Sequence, residues 1–270
     1  MRNSNQDQKR EPSPHKKTSP HNTLITIVTV VLNDPEGLEK TIKSVSEQTY
    51  ENVEYVVIDG ASEPPTLNVI NNYEDRIDYW ISEQDEGIFD AMNKGISLAS
   101  GKWINFMNAG DYFHNKDVIA NVFSQDYGDA DFIYGHTYFL SGDFRGVVKA
   151  WDFDILWKTM IFTHQSVFTR KALLEKHKFD TTYKVCADYN MIFTCFMRGC
   201  KFHNSDTVIS VISPGMTEVN RARMAIEKWR TVRKFRNDFI VHLYYISLVI
   251  RRFFRDIKTR LTRKISEKTK

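Results

Sequence analysis

Two short runs of apolar, β-branched residues constrain this chain more than any other feature. Residues 24–32 read LITIVTVVL and residues 53–58 read VEYVVI, each nearly continuous. A strand with one wet face alternates apolar and polar residues, whereas an unbroken run belongs to a strand covered on both faces, as in a parallel sheet flanked by helices. Between the runs, Asn33, Asp34 and Pro35 form a helix start, with a short polar cap and Pro at the first helical position. Leu38, Ile42 and Val45 follow at helical spacing. Strand, helix, strand is the opening of a parallel α/β sheet.

The pattern continues with a Pro-containing turn at 62–65, a helix at 66–73 and a strand at 78–81. Residues 82–111 then run from an acidic turn closed by Gly87, through a helix-like segment at 88–99 ended by Gly101, into a strand at 103–107. That strand stops at Asn108, Ala109, Gly110 and Asp111. Ligands of open α/β sheets bind outside the carboxyl ends of the strands, so Asp59 and Asp111 mark the expected crevice. Residues 112–150 are less regular, with a helix expected near 116–123, a strand at 131–134 and a hairpin around 141–146. Beyond them the spacing predicts a strand at 165–168, helices at 170–177 and 188–198, and a strand at 207–212.

Charge divides the chain. The net +3 conceals a balance of +12 over residues 221–270, which leaves −9 for the first 220. An acidic body excludes a nucleic-acid-binding core, and a basic tail suits an anionic surface. Residues 239–250 are mostly apolar but too few to span a bilayer. After them Ile250, Phe253, Phe254, Ile257, Leu261 and Ile265 recur at helical spacing with arginines between, the pattern of a basic amphipathic helix in a headgroup region. A helix packed on the domain with a solvated basic face also fits. Cys186, Cys195 and Cys200 form no C-x-x-C pair, and their odd number fits a reducing compartment. Residues 1–23 read as a disordered, uncleaved arm, without an apolar stretch for a secretory signal. The expected division is thus 1–23 arm, 24–220 domain and 221–270 basic helical tail.

Several residues can carry chemistry. Asp59 can accept a ring N–H of a nucleobase such as uracil or guanine, although an Asp before Gly also serves as a turn residue. Asp111, beside a Gly that admits a ligand to the backbone, can bind a divalent cation whose other oxygens come from a diphosphate; it can equally cap the helix after it. Asp188 precedes an apolar helical run and reads either as a cap or as a base for an incoming hydroxyl. His164 suits a phosphate or acceptor hydroxyl as well as a structural hydrogen bond. Trp151 and Trp157 are candidates for stacking on an acceptor. No His and Cys pattern has zinc-ligand spacing, and nothing resembles a Ser-His-Asp set.

Taken in order, the first strand ending at Asn33, VVIDGAS (56–62), QDEG (84–87), DAMNKG (90–95), FMNAGD (106–111), HQSVFTR (164–170) and CADYN (186–190) resemble the inverting glycosyltransferase family 2. The resemblance covers roughly residues 24–214. It implies an α/β GT-A fold, with a Rossmann-like sheet binding a nucleotide-diphosphate-sugar and a second half binding the acceptor. It also implies that Asp59 binds the base, FMNAGD replaces the metal-binding D-x-D element with Mn²⁺ or Mg²⁺ on Asp111, and Asp188 is the catalytic base. Asn33, Asp85, Asn93, Lys94 and Asn108 fall in the donor-binding motifs. The sequence departs from the family where Asn108 and Gly110 stand in place of acids and Met92 in place of an Arg; Lys94 is a substitute for that Arg or simply a solvated helix residue.

The expected function is a UDP-sugar-dependent transferase acting on a hydroxyl of a glycan or lipid-linked acceptor in cell-surface polysaccharide synthesis. Its expected place is cytoplasmic, held by its tail at the inner face of the membrane. A non-catalytic GT-A subunit of a polysaccharide machine is the alternative that the reduced D-x-D element favours. A nucleotidyltransferase would carry a Gly-rich phosphate loop after the first strand, which this chain lacks.

Overall fold

The computed structural model describes residues 8–9, 23–141, 144–212 and 221–268, and at residues 8, 9, 141 and 254–268 the backbone alone. In chain order the first half comprises β1 (Gln8–Lys9), β2 (Ile25–Val31), α1 (Pro35–Ser46), β3 (Val53–Asp59), α2 (Pro64–Asn72), β4 (Tyr79–Ser82), α3 (Ile88–Leu98) and β5 (Trp103–Phe106). The second half adds β6 (Tyr112–Phe113), α4 (Val118–Val122), β7 (Phe132–Ser141), β8 (Phe144–Val148), β9 (Val167–Arg170), α5 (Lys171–Lys176), α6 (Ala187–Met197) and β10 (Phe202–Ile212). Two further helices follow, α7 (Arg221–Val232) and α8 (Phe239–Lys268). All strands join one sheet in the order β1-β4-β3-β2-β5-β9-β7-β10-β6, with β8 paired to β7.

The first half is parallel: β2 lies between β3 and β5, and β3 pairs with β4. All seven residues of β2 are buried. Ile25, Ile27 and Val31 face the layer of α1, where Leu38, Ile42 and Val45 are buried, while Val28 and Val30 face Met92 and Ile96 of α3. The unbroken apolar run therefore feeds two cores at once, and each fully buried aliphatic side chain contributes ~1.5–3 kcal/mol. Because α1 leads from β2 to one side and the later chain brings β5 to the other, the carboxyl ends of β2 and β5 flank a topological switch point.

The second half is joined through an antiparallel seam, with Trp103 opposite Arg170 and Ile104 opposite Thr169. Here the sequence was hardest to read. The strand expected at 131–134 is ten residues long, and the one expected at 207–212 begins at Phe202 and runs parallel to it. The expected hairpin is β7–β8. Residues 164–166 form a 3₁₀ turn rather than the start of a strand.

Contacts cross both expected boundaries. Within the arm expected at 1–23, Gln8 and Lys9 pair antiparallel with Ser82 and Ile81, and most of the rest lies outside the described residues. The boundary expected at 220/221 is no break in the core, since Val232 of α7 and Val241 and Tyr245 of α8 are buried in the same cluster as α6. One face of each helix packs, and Glu227 and Lys228 of α7 are themselves buried. Phe254, Ile257, Leu261 and Ile265, expected to continue the amphipathic pattern, have side chains outside the described residues.

Candidate active site

Asp59 closes β3 and is wholly buried. Its Oδ2 accepts the Ser62 N–H at 2.9 Å and the Ser82 hydroxyl at 2.6 Å, while Oδ1 is buried without a partner. An unpaired buried carboxylate oxygen is costly to keep. It fits a ring N–H delivered by a ligand. Asn33, at a left-handed φ of 53°, donates its N–H to Ser62 and accepts the Glu63 N–H through its side chain, so it braces the turn after Asp59. Asp85 reaches the same strand end because Gly60 has no Cβ, which would lie 2.6 Å from the Asp85 carboxylate.

Asn93 and Lys94, one turn into α3, are engaged within the protein. The Asn93 amide exchanges two hydrogen bonds with the Phe179 backbone, both at 2.9 Å, and so ties α3 to the second half. Lys94 donates to the Gln84 carbonyl and pairs with Glu83 at 3.0 Å and Asp90 at 3.6 Å. Burial opposes its charge, but the Glu83, Asp90 and Asp85 carboxylates outweigh that and hold the ammonium above its usual range.

The turn after β5 is held from α1. The Thr41 hydroxyl donates to the Asp111 carbonyl at 2.7 Å and accepts the Gly110 N–H at 3.1 Å. Gly110 itself adopts a φ of 93°, which favours glycine. Asp34 caps α1 through the Gly37 N–H, and its Oδ2 lies 3.6 Å from where a Gly110 Cβ would stand. Asp111 is buried, and Oδ2 accepts the Gln165 amide at 2.6 Å. Lys40 stands over the Tyr112 ring; burial lowers its pKa while the charge of Asp111 pulls the other way.

His164 and Gln165, consecutive in the 3₁₀ turn, join the two halves chemically. Gln165 holds Asp111; His164 places Nε2 at 3.0 Å from the Asn108 amide and Nδ1 at 3.3 Å from Asp188 Oδ2. With Asn108 donating, the imidazole is the Nδ1–H tautomer, and that edge faces the Asp188 carboxylate. The turn is fixed by Asn105, whose amide donates to the Gln165 and Val167 carbonyls, both at 2.9 Å. Asp188 is the second residue of α6, past the cap position, and its Oδ1 accepts the Tyr189 N–H at 2.7 Å. The capping work goes to Glu227 of α7, which accepts the N–H groups of Lys184, Val185 and Cys186 at 2.9–3.0 Å. Burial pushes the neighbouring Cys186 thiol up to about 12, so it brings no charge to Asp188.

Among the described residues no three His, Cys, Asp or Glu side chains converge as a metal cage. A hard cation shared with a diphosphate needs only one or two carboxylates. Asp111 fits that lesser demand, with one of its oxygens already on Gln165. Thr41, Gln165, Lys40 and Glu227 were missed from sequence; only HQ in the 164–170 motif signalled one of them. Trp151 is half-exposed at the rim of a cavity that reaches Asp188, whereas Trp157 packs on Tyr244 with ring centroids 5.2 Å apart.

A parallel half ending in acids around a switch point, joined to a second half that supplies a carboxylate from a helix start, is the layout of a GT-A glycosyltransferase. Residues 26–199 match the family model for glycosyl transferase family 2. The chain belongs to that family. It is 30% identical over 179 residues to PGL/p-HBAD biosynthesis glycosyltransferases of Mycobacterium bovis and Mycobacterium tuberculosis, covering 64% of this chain and 70% of theirs. Its fold resembles S. aureus TarS 1-349 in complex with UDP, with a TM-score of 0.60 at 17% identity over 78% of this chain. The chain spans 64% of that one, less than two thirds of its length. It also resembles the mannosyltransferase PcManGT from Pyrobaculum calidifontis in complex with GDP-Man and Mn²⁺, with a TM-score of 0.61 at 19% identity, over 83% of this chain and 67% of that one.

Proposed function

We propose that the protein is an inverting glycosyltransferase that moves one sugar from a nucleotide-diphosphate donor, UDP-sugar favoured, to a hydroxyl of a glycan or lipid-linked acceptor in cell-surface polysaccharide synthesis. The observation that carries this reading is the His164–Gln165 turn, whose adjacent side chains reach Asp188 on one side and Asn108 and Asp111 on the other. A base for the attacking hydroxyl and a charged group for the departing diphosphate are thereby held by one rigid element. The relatives named PGL/p-HBAD biosynthesis glycosyltransferases and the neighbours in complex with UDP and GDP-Man support it.

In this mechanism Asp59 takes the base N–H on its unpaired Oδ1 and the donor lies across the switch point. Asp111 would hold Mn²⁺ or Mg²⁺, and the ion would supply charge to offset that developing on the departing diphosphate. The acceptor oxygen attacks the anomeric carbon as the bond to the diphosphate oxygen breaks, and its proton passes to Asp188. A single in-line displacement inverts that carbon. His164, with Nδ1 3.3 Å from Oδ2, positions the Asp188 carboxylate, which takes the proton late in the transfer.

The reading is tested by a donor-hydrolysis and nucleotide-binding screen across UDP-, GDP- and dTDP-sugars, with and without Mn²⁺. Asp59→Ala is expected to weaken nucleotide binding ~10-fold or more, the loss of a hydrogen bond to a charged group. Asp111→Ala is expected to abolish any Mn²⁺ stimulation. If no donor binds or turns over, the non-catalytic subunit, which the Gln165-held Asp111 favours, replaces this reading.

The placement at the inner face of the membrane rests on α8. Phe239, Ile240, Leu243, Ile246, Ile250 and Phe253 are exposed at helical spacing, with Arg251 beside them. No helix among the described residues is long and apolar enough to cross a membrane. Such a stripe lies in an interface instead. Binding to anionic vesicles should weaken as salt rises; equal binding by a Phe239→Asp, Leu243→Asp variant would remove this assignment.

A further inference from the structure

A cavity of about 310 Å³ ends on Asp188 and His164 and is built entirely from the second half of the chain. Its position identifies its occupant, because a group seated there presents its hydroxyl to the proposed base. Its chemistry is unexpected for a sugar-binding wall. Most of its accessible lining surface is apolar, with Phe139, Val148, Ala150, Met160, Ile161 and Phe162 among the residues that line it.

The polar side chains in the lining are largely committed to one another. The Thr137 and Thr163 hydroxyls pair at 2.9 Å, and Thr137 also bonds Ser166 at 2.8 Å. Gln165 is on Asp111, and His164 spans Asn108 and Asp188. Among the described lining residues, Thr159, Lys149 and the Trp151 indole N–H are the polar side-chain groups for which no side-chain hydrogen bond is seen. A sugar carries several hydroxyls per ring, and desolvating them without partners is unfavourable. An apolar group meets no such cost here.

The apolar wall also has an outlet. Val148 and Ala150 continue into Val147, Phe144 and Trp151, which are 44%, 52% and 50% exposed on or just past β8. The segment that forms the other wall, residues 159–165, lies close in the chain to Trp157, whose carbonyl accepts the Tyr245 hydroxyl of α8 at 2.5 Å. The cavity and the helix with the exposed apolar stripe are thus fixed to one stretch of chain.

We infer that the acceptor is an amphiphile whose reacting hydroxyl is carried on an apolar body or on the first sugar attached to one. This rests on the transferase reading and deepens it. The cavity is at the small end of ligand sites, which run ~300–1,000 Å³, so it holds one small ring or short chain next to Asp188. Several sugars between the apolar body and the reacting hydroxyl would place the apolar part outside it. The enzyme therefore acts at the start of glycan assembly, on the product of a reaction that supplies a lipid or aryl alcohol or its first glycoside, and its own product feeds a later chain-extending transfer.

The test is binding by calorimetry to the full-length protein of four probes: glucose, maltose, octyl β-glucoside below its micelle concentration, and p-nitrophenyl β-glucoside. Donor hydrolysis is measured on the same samples. One or both amphiphiles should bind at least about tenfold more tightly than glucose or maltose, the octyl and aryl arms distinguishing an alkyl from an aryl body. Trp151→Ala and Val148→Asp, both at partly exposed positions that should tolerate substitution, should each weaken that binding on the order of tenfold. Free sugars binding as well as amphiphiles would overturn the inference. So would amphiphile binding that both variants leave unchanged, since the probe would then sit elsewhere, on α8 for example. Amphiphile binding without hydrolysis of any donor would instead remove the transferase reading and leave an amphiphile site.

Discussion

Asp188→Asn is expected to lower the rate of sugar transfer by about 10²–10⁴, the range supplied by a positioned general base, while leaving nucleotide-diphosphate affinity within about twofold. Asparagine keeps the size of the side chain and an oxygen for the Tyr189 N–H that Oδ1 now accepts. Its NH2 then faces His164 Nδ1, now 3.3 Å from Oδ2, and the neutral ring can accept it by changing tautomer. The start of α6 should therefore be undisturbed, and only the capacity to take the acceptor proton is removed. Single-turnover transfer measured beside equilibrium binding of UDP or GDP separates the two effects. A variant as fast as the native protein would dismiss Asp188 as the base. A variant that loses nucleotide binding in parallel would point to a structural role.

The second large effect is expected from the helix that the sequence placed in a tail. Glu227→Ala removes a buried carboxylate that accepts three successive backbone N–H groups and the Arg223 Nε–H at 3.0 Å. The Cys186 N–H lies in a buried stretch, whereas that of the exposed Lys184 can turn to water, so the loss should be ~2–4 kcal/mol rather than three full desolvation penalties. The positive end of α6 would also lose its counter-charge. For a chain of this size the melting temperature should fall by ~5–10 °C, and transfer should slow because the loop delivering Asp188 is no longer held. Glu227→Gln, which can serve only some of those donors, should be intermediate in both. Unchanged melting of Glu227→Ala would show that the 184–186 turn holds its shape without α7.

The parts of the site that were legible in the sequence share a physical cause. Asp59 and Asp111 each end an apolar strand, and local chain direction alone puts such residues at the mouth of a parallel sheet. The helix start at Asn33 to Pro35 was equally local. Thr41, Gln165 and Glu227 act on residues 41 to 70 positions away in the chain. Thr41 looks like any helix threonine, and Glu227 like a stray acid in a basic segment. Charge composition could not show that α7 and α8 pack on the domain, for a related reason. It averages over a helix, whereas burial depends on one face, and the buried faces of α7 and α8 carry Ala225, Val232, Val241 and Tyr245. The second half was obscured because β10 is half-exposed over much of its length and lacks a clean alternation.

The seam between β5 and β9 determines how this protein could be recombined. Only two residue pairs register across it, Trp103 with Arg170 and Ile104 with Thr169. Backbone pairing alone thus sets few demands on which first half meets which second half. The restrictive terms are side chains: Asn105 on the Gln165 and Val167 carbonyls, Gln165 on Asp111, Asn108 on His164, and Asn93 on Phe179. A chimera that exchanged one half for a homologue's would have to inherit these matched pairs together, and under the proposed reading its acceptor preference could then be altered without rebuilding the proposed nucleotide site.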